Sequence, residues 1–191
     1  MSTYRNEKFH FEIDLPSGWV TTSGFSRVPY ILSNIINRAN ILEEFAFEKK
    51  EFLNIVVEQM QPEIPPDINE LMFTLRAKEM NYTDLKCSRI EVGGRNHTCV
   101  SYVMNQKGWL KKYLIVLNGF GYALTASCPL AHKSSTVEET WDSIATSLRL
   151  LVAMNDSIIA FNNSPRVQHY LEMFRQKLLQ ELGMGNDNNQ R

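Results

Sequence analysis

One stretch of the sequence decides the fold: Tyr113–Pro129, which reads Tyr-Leu-Ile-Val-Leu-Asn-Gly-Phe-Gly-Tyr-Ala-Leu-Thr-Ala-Ser-Cys-Pro. Asn118-Gly119 separates two runs that are rich in apolar and β-forming residues. Both residues of this pair adopt a positive φ at low cost, so Asn-Gly between two such runs is the strongest short-range signal for a β-hairpin. Pro129 cannot donate to a ladder and ends the second strand. The stretch predicts a hairpin in the middle of an antiparallel sheet.

A second interpretation of the same stretch is a phosphate-binding loop, because Gly119-Phe-Gly121 follows a strand. A dinucleotide-binding loop needs a third small residue three positions further on and then the N-terminus of a helix. Position 124 is Leu, and the sequence continues to alternate as far as Pro129. The hairpin is therefore the favoured interpretation, and no cofactor is predicted.

Length and composition indicate an ordinary globular protein. The chain has 191 residues, of which 43% are hydrophobic and 21% charged, enough to bury a sizeable core. A net charge of −1 gives no long-range field that would favour nucleic acid or an anionic membrane. The first eight residues are polar and resemble no signal peptide, and no run is long enough to span a bilayer. We therefore expect a cytoplasmic protein that binds neither nucleic acid nor membrane.

The three cysteines are expected to be free thiols. Cys87, Cys99 and Cys128 all fall in predicted strands. If Gly93-Gly94 is a two-residue hairpin loop, Val100 lies opposite Cys87, so Cys87 and Cys99 point to opposite faces of the sheet. Two such thiols cannot form a disulfide. Buried thiols that act as small hydrophobic side chains are the expected role.

Alternation and turn chemistry predict the remaining strands. These strands are Phe9–Leu15, the short run at Trp19-Val20, Ile41–Lys49, Phe52–Met60, Asp84–Val92, Arg95–Gln106 and Trp109–Leu117. The segment Ser26–Asn37 is ambiguous, because its isoleucines have helical spacing and a short helix could form there.

Three helices are predicted from apolar stripes and capping signals. The first runs from Asp67 to Met80, with Asp67 and Glu70 as an approximate capping box. The second starts with a capping box at Ser135-Thr-Val-Glu138 and carries an apolar stripe as far as Leu151. This helix should lie across the sheet. The third covers 164–183, with Ser164 as N-cap, Pro165 at the first helical position and Gly183 just past the end.

These elements in this order resemble a known family. Phe9-x-Phe11-x-Ile13-x-Leu15-Pro16-x-Gly18-Trp19 is similar to the opening of the PsbP-like superfamily, which includes Mog-type and DcrB-like proteins. The glycine-rich hairpin from Gly119 to Pro129 and Ser147-Leu148 resemble its C-terminal half. The resemblance implies an α+β fold in which an antiparallel sheet of about six to seven strands is sandwiched between helices. It also implies proteins that mostly bind other proteins and have no known catalytic site.

The sequence is expected to depart from the family in two ways: it shows no export signal like that of the thylakoid and lipoprotein members, and it adds a C-terminal helix. We divide it into a PsbP-like domain over residues 1–152, a linker over 153–163, an amphipathic helix over 164–184 and a disordered tail over 185–191. The added helix is interpreted either as a cap over the sheet or as a helix for dimerisation or for a partner. No residue pattern for Ran, calcium or manganese binding carries over from the family.

No combination of residues predicts a catalytic or metal site. The four histidines His10, His97, His132 and His169 have no ligand spacing. His97 and Cys99 share a face of a strand, so a Cys–His pair is geometrically allowed, but nothing supplies a third orienting group. Three lysines at positions 107, 111 and 112 cluster near a turn, where we expect them to keep the end of the sheet in solvent.

The favoured hypothesis is a non-enzymatic protein-binding module, for example an adaptor or chaperone for a secreted protein, or a homodimer. The candidate contact residues are Trp109, Val167, Leu171, Phe174 and Leu178. Trp109, beside a turn, is either an exposed anchor for the partner or a residue at the rim of the core. The alternative hypothesis is a small-ligand binding protein or an enzyme with a pocket between sheet and helix.

Overall fold

The structure is a computed structural model, and it describes residues 2–7, 9–21, 26–27, 41–47, 50–59, 64–152, 160–161 and 163–184, with side chains at most of them. The strands are β1 Ser2–Asn6, β2 Phe11–Leu15, β3 Trp19–Thr21, β4 Ser26–Arg27, β5 Ile41–Phe47, β6 Glu51–Gln59, β7 Thr83–Val92, β8 Arg95–Met104, β9 Gly108–Leu117, β10 Phe120–Pro129 and β11 Arg149–Leu150. The helices are α1 Pro66–Met80, α2 Ser135–Thr146 and α3 Pro165–Glu181, and a single 3-10 turn follows β10.

The predicted hairpin lies at the centre of an eight-stranded antiparallel sheet. The strand order is β3-β5-β6-β10-β9-β8-β7, with β4 paired to β5. β9 and β10 pair antiparallel, with Leu117 opposite Phe120. Asn118 and Gly119 have φ values of 51° and 77°, the left-handed conformation that a tight two-residue hairpin requires. Because a strand rather than a helix follows the turn, Gly119 and Gly121 belong to a hairpin and not to a phosphate loop.

The Gly93-Gly94 hairpin also forms in the predicted register. Cys87 lies opposite Val100, and Ser88 lies opposite Cys99. All three cysteines are free, as predicted. The two thiols nearest in sequence therefore point to different faces of the sheet, where each packs as a small apolar side chain.

A second sheet was missed by the sequence prediction. The α+β fold with an antiparallel sheet between helices is confirmed, and in addition β1, β2 and β11 form a separate three-stranded sheet in the order β1-β2-β11. β1 carries mostly exposed polar side chains and has no apolar alternation. Its position is fixed by backbone pairing to β2, from Ser2 opposite Leu15 to Asn6 opposite Phe11, and a hydrophobic pattern cannot reveal such pairing.

Alternation along β9 divides the molecule into layers. Trp109, Tyr113 and Ile115 point to one face of the large sheet, where they share a core with α2 and the small sheet. Leu110 and Leu114 point to the other face, where they pack with Phe73 of α1. The large sheet is therefore sandwiched, with α2 and the small sheet on one side and α1 on the other.

α2 differs from its prediction at both ends. Its N-cap is Ser134, whose side chain accepts a hydrogen bond from the Val137 backbone N–H, so the capping residue lies one position before the predicted Ser135. The helix ends at Thr146 rather than near Leu151. The chain after Ser147 extends to form β11 against β2, and this long-range pairing outweighs the apolar spacing that favoured a longer helix.

α1 matches its predicted span but has a different N-terminus. The residue before it is Pro65, without a side-chain cap, so the proposed capping box of Asp67 and Glu70 is wrong. Prolines at 65 and 66 fix the backbone φ at the start of the helix, which substitutes for a cap. α1 is apolar on two faces: Phe73 contacts the sheet, while Ile68 belongs to a separate cluster with α3.

α3 packs on α1 and so forms a further layer beyond the sandwich. Ser164 caps it as predicted by accepting a hydrogen bond from Val167, with Pro165 at the first helical position. Gly183 has a φ of 72° just past the helix end, as the C′ prediction requires. The helix is a cap, but it covers α1 rather than the sheet.

Several predictions fall outside the described residues. Of the ambiguous segment Ser26–Asn37, only Ser26–Arg27 is described, as β4. Most of the proposed linker 153–163 and all of the tail 185–191 also lie outside the description. The domain boundaries therefore stay predictions.

An ion pair that closes the small sheet should make stability depend on pH. Arg149 donates two hydrogen bonds to the Asp14 carboxylate at 2.8 and 3.0 Å, and these bonds with the one from Thr3 lower the Asp14 pKa to about 2. Because the folded pKa is depressed, the stabilisation is present above the ordinary pKa of 3.8 and is lost as the pH falls towards 2. We expect Asp14→Asn to be destabilising above about pH 5, and its difference from the wild type to shrink between about pH 4 and pH 2.

Urea unfolding across this pH range measures the effect. In an Arg149→Met background, Asp14→Asn should change stability less, because the main cause of the pKa shift is gone. An effect of Asp14→Asn that is the same at every pH would contradict this assignment.

Candidate functional site

Trp109, the first predicted contact residue, is a core residue and not an exposed anchor. Its side chain is 1% exposed and stacks on Trp141 of α2, with ring centroids 4.6 Å apart. Lys133 Nζ lies 5.3 Å from the Trp109 ring centroid. Trp141 also donates its indole N–H to Glu51 at 2.7 Å. The two tryptophans therefore join β9 to α2.

The other four predicted contact residues point inward, towards α1. Leu171 and Leu178 are buried in a cluster with Ile68 of α1. Val167 and Phe174 are half-buried at the edge of the same cluster. The structure brings these four residues together, as their spacing predicted, and their side chains hold α3 on α1. A partner that contacts α3 must therefore bind another side of the helix.

The adjacent flank of α3 is exposed and carries large apolar side chains. Tyr170 is 54% exposed and Met173 is 60% exposed. Arg166, Lys177 and Glu181 lie on the same flank, because positions spaced by three or four residues share one side of a helix. We call these five residues the α3 stripe: Arg166, Tyr170, Met173, Lys177 and Glu181. Exposed apolar groups framed by charges are typical of a docking surface.

The Tyr170 ring is held in place by its neighbour. Its centroid lies 6.4 Å from that of Phe174, and the two rings are almost parallel, at 4°. Phe174 in turn packs against the cluster between α1 and α3. An aromatic side chain that is oriented before binding loses less conformational entropy when a partner covers it. Tyr170 is therefore well placed to act as an anchor.

The opposite flank of α3 is polar and is tied to α1. Arg175 forms an ion pair with Asp67 of α1 at 3.0 Å and a longer one with Glu172 at 3.7 Å. Gln176 donates a hydrogen bond to Glu172 at 2.8 Å. The two flanks thus differ: one orients α3 on α1, and the other presents apolar groups to solvent.

The predicted lysine cluster is divided between the two faces of the sheet. Lys107 is exposed, and Lys112 lies on the face of α1, with Nζ 6.0 Å from the Phe73 ring centroid. Lys111 is buried on the face of α2, so the expectation that all three lysines face solvent is wrong for it. Alternation along β9 causes the division, since neighbouring residues of a strand point to opposite faces.

Lys111 lies at the centre of a buried polar network. Its Nζ is 2.7 Å from Glu138 Oε1 and 2.8 Å from Asp142 Oδ1, and both carboxylates are on α2. Tyr113 donates its hydroxyl to Asp142 at 2.7 Å. The Lys111 side chain is 7% exposed, whereas each carboxylate is 41% exposed. The network therefore joins a buried cation to two partly solvated anions.

The electrostatics of this network favour a structural role. Burial by itself lowers the pKa of Lys111, but the hydrogen bonds to Asp142 and Glu138 outweigh it, so the pKa lies above its ordinary value. Burial, with the Asp142 hydrogen bond, raises the pKa of Tyr113. At neutral pH the amine is charged and the phenol neutral, so neither group is poised for proton transfer.

The Cys99–His97 pair is also more consistent with a structural role than with catalysis. Burial raises the pKa of Cys99 to about 11, which keeps the thiol protonated and weakly nucleophilic at neutral pH. The two ring nitrogens of His97 lie 3.3 Å from the Val92 carbonyl oxygen and 3.4 Å from the Val116 backbone nitrogen. The imidazole thus bonds to the backbone of strands on either side of it.

Among the residues that the structure describes, no group of three or more His, Cys, Asp or Glu side chains could hold a metal ion. Within the same part of the chain, no helix is both long enough and apolar enough to cross a membrane.

The architecture defines the class: an α+β domain whose antiparallel sheet separates helical layers. The solution structure of cyanobacterial PsbP from Synechocystis sp. PCC 6803 is similar, with a TM-score of 0.51 at 12% identity over 78% of this chain and 91% of that one. This chain therefore has a PsbP-like fold. A 1.50 Å crystal structure of a Bacteroides thetaiotaomicron VPI-5482 protein matches 78% of this chain and 47% of its own length, at 10% identity and a TM-score of 0.47. No protein-family profile and no curated protein sequence matches the chain.

Two features of the site were not recognised in the sequence, although each left a signal there. Lys111 alternates in step with Trp109 and Tyr113, so its side chain points to the inward face of β9. A buried charge on that face requires an oppositely charged partner. Tyr170 and Met173 lie outside the apolar stripe of α3. Apolar residues beyond the stripe that buries a helix are candidates for a second contact.

Substitutions in the buried network test whether stability depends more on the two carboxylates or on the Lys111 amine. Replacing both carboxylates, by Glu138→Gln with Asp142→Asn, leaves a buried cation without a counter-charge and should lower the free energy of unfolding by about 3–5 kcal/mol. Lys111→Met leaves two carboxylates that solvent already reaches, so it should change that free energy by less than about 2 kcal/mol. Urea unfolding at neutral pH measures both.

The triple variant is the control. Adding Lys111→Met to the carboxylate double variant removes the unpaired charge and should recover most of the lost stability. A Lys111→Met variant that is as unstable as the carboxylate double variant would refute this account.

Proposed function

We propose that the chain is a non-enzymatic protein-binding module and that the α3 stripe is its contact surface. The observation that carries the proposal is the exposure of Tyr170 and Met173 on a helix whose own apolar stripe is already buried against α1. Tyrosine and methionine are enriched in protein interfaces, and Tyr170 is already oriented by its stack on Phe174. Charged neighbours at both ends of the stripe would form the polar rim of such an interface.

The packing between the layers supports partner binding over a ligand pocket. The space between the large sheet and α2 is occupied by the stacked rings of Trp109 and Trp141 and by Tyr113, each at most 1% exposed. Between the sheet and α1, Phe73 packs against Val100 and neighbouring side chains. Binding of a small ligand or catalysis in these layers would require such side chains to move aside.

An adaptor or chaperone for a secreted protein is one concrete form of the proposed function. A cytoplasmic location belongs to the same proposal, and it is supported by three cysteines that are all free thiols. The layers of helix and sheet would then serve as a rigid support that holds one face of α3 towards the partner.

Substitutions in the α3 stripe should weaken partner binding without lowering the stability of the fold. Tyr170→Ser with Met173→Ser removes two side chains that are more than half exposed, so melting should change little, while a bound partner should be lost. Gln176→Ser is the matched control, because it places the same residue on the polar flank of the same helix. The measurement is affinity capture by the tagged full-length chain from cells that produce it, followed by identification of the bound proteins.

The expected result is a protein that the wild type and the Gln176→Ser variant retain and the stripe double variant does not. Leu171→Ala serves as a stability reference, since truncation of this buried leucine should lower the free energy of unfolding by about 2–4 kcal/mol. If wild type and stripe double variant retain the same proteins in the same amounts, the stripe is not the contact surface.

A further inference from the structure

We propose that the partner of the α3 stripe is a second copy of this chain, bound through antiparallel pairing of α3 with the same helix of the other copy. This inference rests on the proposed function and names its partner. The inference is based on the order of charges along the stripe. When a second copy of the helix runs in the opposite direction, each charged end of one stripe lies beside the oppositely charged end of the other.

The stripe forms a narrow face along the whole of α3. Its members are spaced by four, three, four and four residues, and at about 100° per residue they fall within an arc of about 80°. The basic Arg166 lies in the first turn and the acidic Glu181 in the last. A helix face with opposite charges at its two ends attracts a second, oppositely directed copy of itself.

In one antiparallel register, each residue of the stripe lies beside a suitable residue of the other copy. When the two-fold axis passes beside Met173, Arg166 of one copy lies level with Glu181 of the other. Tyr170 then lies level with Lys177 of the second copy, close enough for a cation–π contact. The two Met173 side chains meet at the axis. Two-fold symmetry makes each of the off-axis contacts twice.

Charges within the chain leave these contacts available. Lys177 and Glu181 form an ion pair in the same helix at 3.7 Å, with side chains 69% and 43% exposed. A contact this long and exposed is weak, so Glu181 can accept hydrogen bonds from an incoming guanidinium. Arg175, by contrast, is engaged with Asp67 and lies on the opposite flank. Among the described residues, the charges of the stripe are thus weakly held and open to a partner.

The same register aligns the segments that flank α3 in the two copies. Met184 is 62% exposed just after α3, and Phe161 is 46% exposed just before it. Antiparallel pairing around Met173 places residue 184 of one copy level with residue 163 of the other, two positions from Phe161. Large exposed apolar side chains are therefore found beside both ends of α3 as well as on the stripe.

The expected dimer is weak and reversible. A single pair of helices buries less than the ~1,000 Å² that characterises stable interfaces. Sedimentation equilibrium of the purified full-length chain should therefore be measured up to about 1 mM, where a weak dimer is populated. We expect Tyr170→Ser with Met173→Ser to raise the dimer dissociation constant at least about tenfold, and Gln176→Ser to leave it unchanged.

A charge exchange tests the antiparallel register itself. Arg166→Glu and Glu181→Arg each place like charges opposite one another in their own homodimers, so each should associate about tenfold more weakly than the wild type. A mixture of the two variants restores opposite charges at both ends and should form a heterodimer as strong as the wild-type dimer. Native mass spectrometry of the mixture distinguishes the heterodimer by mass if one chain is isotopically labelled.

Three outcomes would overturn the inference. The first is a chain that stays monomeric up to about 1 mM, where dimers of this size associate. The second is self-association that the stripe double variant does not weaken, since it would use another surface. The third is a mixture of charge variants that does not restore association. A monomeric chain whose stripe captures a different protein would overturn this inference and leave the proposed function standing.

Discussion

The arrangement depends on the stack of Trp109 on Trp141 and on the alternation of β9 that directs Trp109 to that face. Every second side chain of β9 points to α2 and the small sheet, and the others point to α1. A strand with one buried face and one half-buried face requires a covering layer on each side of the sheet. The Lys111 network continues the stack along the same face, so α2 is joined to β9 by apolar and charged contacts together.

The sandwich explains why one flank of α3 stays exposed. α1 is apolar on two faces, and the sheet covers only one of them. α3 covers the other with its own apolar stripe, and Arg175 orients it through Asp67. Once the buried side chains of α3 are packed on α1, Tyr170 and Met173 on the adjacent flank stay more than half exposed, and Tyr170 stacks on Phe174 at the edge of the cluster. Side chains that folding does not require, yet that expose apolar surface, favour a role in binding.

Much of the fold was predictable because local signals and tertiary contacts agree. Asn118-Gly119 and Gly93-Gly94 fix two hairpins, and their registers fix the directions of Cys87 and Cys99. The predictions failed where a long-range contact replaced a local preference: the end of α2 became β11, and the polar N-terminus became β1. The candidate contact residues on α3 are brought together as their spacing predicted, and they pack on α1, because a stripe pattern shows that a helix is covered and not what covers it.

The sequence by itself determined the two glycine-containing hairpins, the approximate spans of the helices and the alternation of the apolar side chains in the predicted strands, since turn chemistry and periodicity are local properties. Only the tertiary structure decided that Trp109 lies in the core, that Lys111 pairs with two carboxylates of α2 and that α3 packs on α1. Each of these depends on residues at least 27 positions apart, as in the pairing of Lys111 with Glu138. Contacts across such separations depend on how complete elements pack, and no short window of sequence contains both partners.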